Sequence, residues 1–513
     1  MKTNYDEQEQ ATLHTQFDEL QQKLVPLWEE IGRSDLGASI LEKENTIVVL
    51  PSLTVDVELD FSSQQAYEER MLFMLFLLRQ PHVRLVYLTS VPIPTEIIDY
   101  YLDVLPSVSI GNARRRLFLI SPQDTSDRPL VHKILERPRL IKQIRDCIPD
   151  VNMAHLVPFL TTDLERDLTV KLGIPMYAAD PRHFVFGTKS GCRRIFAEEG
   201  VQHPLGAEDL YGKHDLVQAL CQMRAQKPAI EKVIVKHNEG VSGYGNASLD
   251  LAGLPEPGAD DEKLALESRL KEMQFELADA KYDWYMAQLE IKGGIVEELI
   301  GGEEMFSPSV QLRVTPLGDV ELLSTHDQIL GGPSGQTYMG ASFPANPEYG
   351  PMITSKADKV GKRFAREGVV GRFALDFIVV RDGNGDWAPY AIEVNLRKGG
   401  TTHPYLTLLF LTGGEFDAHS GVFKSAQGHA KYYVATDTLK SPPYKRLTPA
   451  DLFDIVSNHR LHFDHTSHTG VVLHMISAVS TLGKLGLTAI GNTPEQAEEI
   501  YQRSIEVLNQ AAT

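Results

Sequence analysis

The chain has 513 residues, 42% of them hydrophobic and 23% charged, which suits about three globular domains and argues against wholesale disorder. Its 69 acidic and 50 basic residues give a formal net charge of −19, which argues against binding to a nucleic-acid backbone. Three cysteines are too few for a disulfide framework. The polar start and the short apolar runs favour a cytoplasmic protein that does not enter a membrane.

The first third of the chain predicts a helical arm followed by a parallel α/β domain. Apolar residues at helical spacing, among them Phe17 and Leu24, indicate the arm within residues 1–39. Apolar, β-rich runs then alternate with helical segments, at residues 46–50, 83–88, 116–120 and 155–160. Because continuous apolar strands between helices are typical of parallel sheets, we predict an open α/β domain over residues 40–175.

From residue 176 the pattern changes to antiparallel strands joined by glycine-bearing turns, which predicts an α+β region over residues 176–430. Within it, residues 255–288 begin as a Pro/Gly/Asp loop, and the charged amphipathic stretch 261–288 predicts one cover helix. Residues 431–513 carry a strand, an apolar segment and a closing amphipathic helix. We expect this last segment to form a small domain.

The strongest chemical pattern is a hairpin that carries Asp376 on one strand and Glu393 and Asn395 on the next. Side chains two residues apart on a strand share a face, so Glu393, Asn395 and Arg397 are predicted to point the same way. Hard oxygen ligands of this kind suit Mg²⁺ bound to a nucleotide, and a guanidinium nearby can neutralise a transferring phosphoryl group. The alternative is a hairpin whose charged face is merely solvated.

Two further motifs predict contacts to phosphate and to a substrate carboxylate. Lys236 ends a strand and precedes a loop with glycines at Gly240, Gly243 and Gly245, which can close over phosphates, although the loop fits no P-loop pattern. After the hairpin, Gly400, Thr401 and His403 belong to a tight turn whose N–H groups can hold a carboxylate.

Lys189 before a helix, and an acidic, glycine-bearing bend over residues 297–304, complete the candidate set. The lysine can reach phosphates, and the bend can present peptide groups to adenine and a carboxylate to ribose. Taken alone, the lysine could equally be a solvated residue that caps the helix, and the bend could equally be an ordinary turn. Their order along the chain, rather than any one of them, carries the prediction.

In this order the motifs resemble the ATP-grasp superfamily: a first lysine, a second lysine before a glycine-rich lid, an acidic hinge, then metal ligands. The Glu393-x-Asn395-x-Arg397 run is similar to the matching segment of biotin carboxylases, and the tail resembles that of pheganomycin-type peptide ligases. The resemblance implies a pre-ATP-grasp domain over 40–175, an ATP-grasp domain over 176–430 with a lid at about 190–300, and a small C-terminal domain over 431–513.

The resemblance also implies roles for individual residues. It places Lys189, Lys236, Gly243 and Gly245 on ATP phosphates, Glu297, Glu298 and Ile300 at adenine, Glu304 or its neighbour Glu303 at ribose, and Asp376, Glu393 and Asn395 on magnesium. Arg397 and Lys236 are the implied catalytic residues, and Arg397, Gly400, Thr401 and His403 the substrate contacts. The long segment of about 250–290 leaves the choice among the hinge glutamates open.

The implied activity is an ATP-dependent ligase that joins a carboxylate to an amine through an acyl phosphate, with ATP and two Mg²⁺ ions as cofactors. The alternatives are another ATP-grasp enzyme, such as a carboxylase or carboxylate kinase, and a noncatalytic nucleotide-binding regulatory protein. We expect small-molecule or peptide substrates, no nucleic-acid or membrane partner, and a homodimer.

Overall fold

The computed structural model describes residues 7–31, 43–54, 61–105, 109–240, 245–277, 279–331, 337–381 and 383–513. These residues form a parallel sheet of four strands, two antiparallel sheets of five and nine strands, and a separate two-stranded hairpin. The multidomain α/β and α+β fold class predicted from the sequence is confirmed. No helix within the described ranges has both the length and the apolar character needed to cross a membrane.

The first domain has the predicted parallel order, with strands β3-β2-β1-β4 and helices between them. Its elements are α1 (Glu7–Gln21), α2 (Leu24–Ile31), β1 (Asn45–Leu50), α3 (Phe61–Glu69), β2 (Val83–Leu88), α4 (Thr95–Asp103), α5 (Ile110–Arg115), β3 (Leu117–Ile120), α6 (Leu130–Leu135), α7 (Pro138–Asp146), β4 (Ala154–Pro158) and α8 (Asp163–Leu172). Every side chain of β1 is buried, as a strand covered on both faces requires.

The second sheet is antiparallel, with the order β5-β9-β6-β7-β8. Its elements are α9 (Lys189–Glu198), β5 (Gly206–Leu210), α10 (Lys213–Gln226), β6 (Lys232–His237), β7 (Asn246–Asp250), α11 (Glu262–Arg269), β8 (Gln274–Phe275), α12 (Tyr282–Lys292) and β9 (Gly294–Glu298). The single cover helix predicted over residues 261–288 is wrong. The short strand β8 interrupts it, because Gln274 and Phe275 pair with β7 and extend the sheet.

The third sheet is the largest, with the order β10-β14-β11-β12-β13-β18-β20-β19 and β15 paired to β14. Its region contains β10 (Met305–Phe306), β11 (Pro308–Val314), β12 (Val320–Gly331), β13 (Thr337–Phe343), α13 (Gly350–Arg366), β14 (Gly371–Arg381), β15 (Trp387–Asn395), α14 (Thr402–Thr412), β16 (Glu415–Asp417), β17 (Val422–Lys424), β18 (Tyr432–Lys440), α15 (Pro449–Asn458), β19 (Gly470–His474), α16 (Ala478–Leu482), β20 (Lys484–Gly491) and α17 (Pro494–Ala512). The part of the chain that the structure describes also contains 3-10 helices at Leu72–Arg79, Val151–Met153, Pro181–Gly187, Leu270–Glu272 and Pro442–Arg446.

The segment 431–513, which the sequence set apart as a small domain, contributes three strands to this large sheet. Its β18 pairs with β13 through Ala435 and Ala341, so the sheet runs through the boundary placed at residue 430. Its apolar side chains also share one core with those of the first domain, where the rings of Tyr100 and Phe453 stack. Backbone pairing between distant segments leaves no signal in a single sequence, and for this reason the extension was not predicted.

One buried carboxyl group at the junction of α3 and α16 predicts how stability depends on pH. Glu69 is fully buried, and burial raises its pKa to about 7 against the opposing effect of hydrogen bonds from Ser477. A carboxyl group with a raised pKa costs stability progressively as the pH rises through that value. We therefore expect Glu69→Gln to raise the unfolding free energy by about 1–3 kcal/mol at pH 8.5 and to change it little at pH 5.

Thermal unfolding of both proteins at the two pH values measures this difference. The matched control is Glu499→Gln, which removes an exposed carboxylate from α17 and should shift neither melting temperature. An equal shift for Glu69→Gln at both pH values would contradict the linkage to protonation.

Candidate active site

A cavity of about 1360 Å³ is lined by residues of both antiparallel sheets and of the first domain. It exceeds the few hundred to about 1,000 Å³ of a pocket for one drug-sized ligand, so it has room for more than one. Eleven of the predicted site residues line it: Lys189, Lys236, Glu297, Glu298, Ile300, Asp376, Glu393, Asn395, Arg397, Gly400 and Thr401. Residues far apart in the sequence thus meet in one space.

The hairpin of β14 and β15 positions the carboxylates. Asp376 lies directly opposite Glu393, and Ala374 lies opposite Asn395. The register shifts immediately after Asp376, where Phe377 pairs with Ala391, so that Ile392 is an extra residue on β15. A bulge of this kind re-aims the neighbouring side chains, and here Ile392 and Glu393 both reach the cavity although they are adjacent in sequence.

Hydrogen bonds hold the oxygen donors together. The side-chain amide of Asn395 donates to Asp376 Oδ2 at 2.8 Å and to Glu393 Oε1 at 3.0 Å. The amide of Gln328 donates to Asp376 Oδ1 at 2.9 Å. Lys189 forms an ion pair with Glu393. Burial outweighs these contacts and the nearby charges of Lys189 and Arg397, and it raises the pKa of Asp376 to about 6.

This donor set fits a magnesium ion. Two carboxylates and an amide oxygen are hard ligands, and they leave coordination positions for phosphate and water. The raised pKa of Asp376 indicates that a further cation beside it would stabilise its ionised form. No group of three or more His, Cys, Asp or Glu side chains that could hold a metal ion occurs among the described residues.

Both predicted phosphate lysines are fixed by acidic partners. Lys236 Nζ lies 2.5 Å from Glu297 Oε1, and Arg193 Nη1 lies 3.1 Å from Glu297 Oε2. Glu297 is only 2% exposed, so its carboxylate balances two cations and holds Lys236 in place. Burial, and then the charge of Lys236, lower the pKa of Lys189 to about 8. Two neighbouring ammonium groups in a partly dry cavity form an environment that favours anions.

Part of the cavity lining is apolar. Ile234, Ile378 and Ile392 line the cavity together with Ile300, which belongs to the hinge. Their positions on two different sheets suit a planar aromatic ring held between the sheets. Sequence reasoning did not name the first three, although Ile234 lies two residues before Lys236 and therefore on the same face of β6.

Several predicted contacts lie elsewhere. Glu304 is exposed, forms an ion pair with Arg381 and is not part of the cavity lining. Gly245 has a φ of 93° and sits against His237 rather than on the cavity. Gly243 lies outside the described residues.

His403, predicted beside the substrate, is buried behind the cavity wall. Its Nδ1 donates to the carbonyl oxygen of Arg70 at 3.0 Å, and its ring centre lies 4.0 Å from that of His474, with the two rings tilted by 40°. Burial lowers its pKa well below the usual range, so the ring is neutral. His403 is not part of the cavity lining.

The turn after β15 is tied to the first domain. Lys398 donates from its backbone N–H to Phe159 and from its ammonium, at 2.6 Å, to the carbonyl oxygen of Pro158. Gly399 N–H donates to Thr402 Oγ1 at 3.0 Å. These contacts hold the preceding Arg397 at the cavity wall.

Comparison with known proteins identifies the architecture. A family model described as "IQCH-like, ATP-grasp" matches residues 182–269 and 270–419. The predicted resemblance to the ATP-grasp superfamily is confirmed over these residues. A second model, described as "PGM1 C-terminal domain", matches residues 451–504, which include β19 and β20 of the large sheet.

Two curated relatives and one solved structure are similar to this protein over most of its length. An L-propargylglycine–L-glutamate ligase of Streptantibioticus cattleyicolor is 29% identical over 451 residues, 86% of this chain and 88% of that protein. The IQ motif-containing protein H of Danio rerio is 25% identical over 74% of this chain but 40% of its own length. The biotin carboxylase domain of Hydrogenobacter thermophilus 2-oxoglutarate carboxylase shares the fold, with a TM-score of 0.53, 13% identity and coverage of 91% and 90%.

A close contact in the cavity predicts that Gly400→Ala raises the KM of the substrates other than ATP more than the KM of ATP. A Cβ atom at residue 400 would lie 2.6 Å from Cε1 of Tyr338, a ring that also lines the cavity. The ring must move, so we expect the KM of the substrates other than ATP to rise about 10-fold, with the KM of ATP changed little. Steady-state kinetics with each substrate varied in turn measure this. Gly350→Ala, where a Cβ meets nothing within 4 Å, is the control.

Proposed function

We propose that the protein is an ATP-dependent ligase that forms an amide bond between a carboxylate and an amine. A carboxylate oxygen of the first substrate attacks the γ-phosphorus of ATP, and the bond from this phosphorus to the β,γ-bridging oxygen breaks. The products of this step are an acyl phosphate and ADP, which is the leaving group. The amine of the second substrate then attacks the acyl carbon. Inorganic phosphate departs, and the proton lost by the nitrogen completes the balance.

We propose one orientation for the nucleotide and its metal in the cavity. Adenine would lie among Ile234, Ile378 and Ile392 beside Glu298 and Ile300, and the phosphates would extend toward Lys189 and Lys236. Asp376, Glu393 and Asn395 would hold Mg²⁺, which we propose as two ions and which would neutralise charge on the phosphates. The carboxylase domain that shares this fold was solved with MgADP.

The side chains act mainly by placement and charge. Lys189 and Lys236 would orient the terminal phosphates, and Arg397 would neutralise the charge shared between the transferring group and the attacking carboxylate. Enclosure by two sheets would keep water from an acyl phosphate. No side chain needs to form a covalent bond with the substrate.

The observation that carries the proposal is that three oxygen donors, Arg397 and two lysines, predicted from separate motifs, line one cavity. The resemblance to a ligase that joins two amino acids supports the reaction class. The intact set of Asp376, Glu393, Asn395 and Arg397 argues against a noncatalytic regulatory protein.

The test is a screen of amino-acid and dipeptide pairs for ADP release in the presence of Mg²⁺ and ATP, with mass spectrometry of the products. We expect ADP, phosphate and an amide in equal amounts. A parallel arm supplies bicarbonate: release of ADP that depends on bicarbonate, with no amide, would contradict the proposal and favour a carboxylase. Light scattering of the same preparation tests the expected homodimer.

A further inference from the structure

A buried ion pair forms the cavity wall on the side of the first domain and the last strands. Arg70 directly follows α3 and bonds to Asp437 on β18, and the side chains are 8% and 10% exposed. Both residues line the cavity beside Thr401. Neither motif reasoning nor the roles proposed above use this pair, although its members come from regions 367 residues apart in the chain.

The guanidinium of Arg70 has donors to spare. Its Nη2 bonds to Asp437, while its Nε is buried without a hydrogen-bond partner among the residues that the structure describes. A guanidinium carries five N–H donors, and a buried donor without an acceptor costs free energy. The rings of Tyr67 and Phe159 lie 5.4 and 5.9 Å from its central carbon and fix its plane.

Arg70 lines the same cavity as Arg397 and the proposed metal ligands without being one of those ligands. Arg397 comes just after β15, the strand that carries Glu393 and Asn395. Two guanidinium groups in one cavity favour a second carboxylate there, in addition to the carboxylate that becomes phosphorylated.

We propose that Arg70 and Asp437 form the subsite for the amine substrate, which is an α-amino acid: Arg70 binds its unreacting carboxylate, and Asp437 binds its ammonium group. This inference rests on the proposed ligase function. A zwitterion that joins the existing ion pair creates a ring of alternating charges, so neither buried charge loses its partner. A simple amine or an amino-acid amide lacks the carboxylate and leaves the Arg70 donors unused.

The test compares free amino acids with their C-terminal amides as acceptors. The wild-type protein should show a KM for the best L-amino acid at least about 10-fold below that for its amide. In Arg70→Gln this preference should fall to about twofold or less, with the KM of ATP unchanged. The double variant Arg70→Gln/Asp437→Asn removes both charges, so no buried charge is left unpaired to destabilise the fold. A merely structural role would not abolish the discrimination between acid and amide.

Two outcomes overturn the inference while leaving the ligase proposal intact. One is a wild-type protein that accepts amide and free acid equally; the other is an Arg70→Gln protein that keeps the preference. If no pair of substrates yields an amide, the ligase proposal fails instead. Saturation-transfer NMR with MgADP and the L-amino acids then tests the subsite by comparing the wild-type protein with Arg70→Gln. The inference is overturned if no L-amino acid binds, or if Arg70→Gln binds the amino acids as well as the wild-type protein does.

Discussion

Replacing Glu393 by glutamine is expected to lower the rate of ADP formation by at least about 100-fold at saturating ATP. Glutamine keeps the shape of the side chain but lacks the negative charge that pairs with Lys189. The same charge, together with that of Asp376 on the opposite strand, is proposed to bind magnesium. Raising the Mg²⁺ concentration should recover part of the rate, because the weakened site then fills further. Steady-state ADP release against Mg²⁺ concentration measures both effects.

The matched control for this change is Glu499→Gln on the exposed face of α17, which should leave the rate within about twofold. Circular dichroism and binding of a fluorescent nucleotide distinguish loss of function from loss of fold. Normal turnover of the Glu393→Gln protein at every Mg²⁺ concentration would contradict the proposal that this hairpin binds magnesium.

Arg397→Lys is expected to lower kcat about 10- to 100-fold with little change in the KM of ATP. Lysine keeps the positive charge but cannot present the planar pair of donors that matches a carboxylate or a phosphoryl group. We expect the effect in the transition state, because Arg397 comes just after β15, which carries the proposed metal ligands Glu393 and Asn395. Single-turnover formation of ADP measures the chemical step directly.

Arg503→Lys, an exchange of the same type on the exposed side of α17, is the control and should change nothing. A rise in the KM of ATP with an unchanged kcat would place Arg397 on the nucleotide instead of on the reacting groups.

Local patterns were sufficient for much of the fold and of the metal-type ligands. The four parallel strands appear at the predicted positions, since continuous apolar runs report burial directly. The pairing of the strands that carry Asp376 and Glu393 could be predicted because a short turn joins these two strands. In such cases the interacting residues are close in sequence, or the periodicity itself carries the information.

The other contacts depend on which distant segments meet. Arg70 and Asp437 come from opposite ends of the chain, and Gln328 reaches Asp376 from a neighbouring strand without a motif around it. Buried polar residues such as His403 look the same in sequence as residues that face a ligand. Only the packing of α14 against the 3-10 helix Leu72–Arg79 separates the two cases.

The glutamates of the hinge illustrate the same limit. Glu297, Glu298 and Glu304 are equivalent by composition, yet the first neutralises Lys236 and Arg193, the second pairs with Lys227, and the third faces solvent near Arg381. Strand alternation predicts opposite faces for adjacent residues. It does not say which face will carry a cation.

Transfer of an isotope from the acid to phosphate tests the central claim most directly. The acid identified by the substrate screen is labelled with ¹⁸O in its carboxylate, and the inorganic phosphate released with the amide is analysed by mass spectrometry. The account predicts one ¹⁸O atom in each phosphate, because the oxygen that attacks ATP leaves with the phosphoryl group. Phosphate without label, or AMP and pyrophosphate as products, would contradict activation through an acyl phosphate.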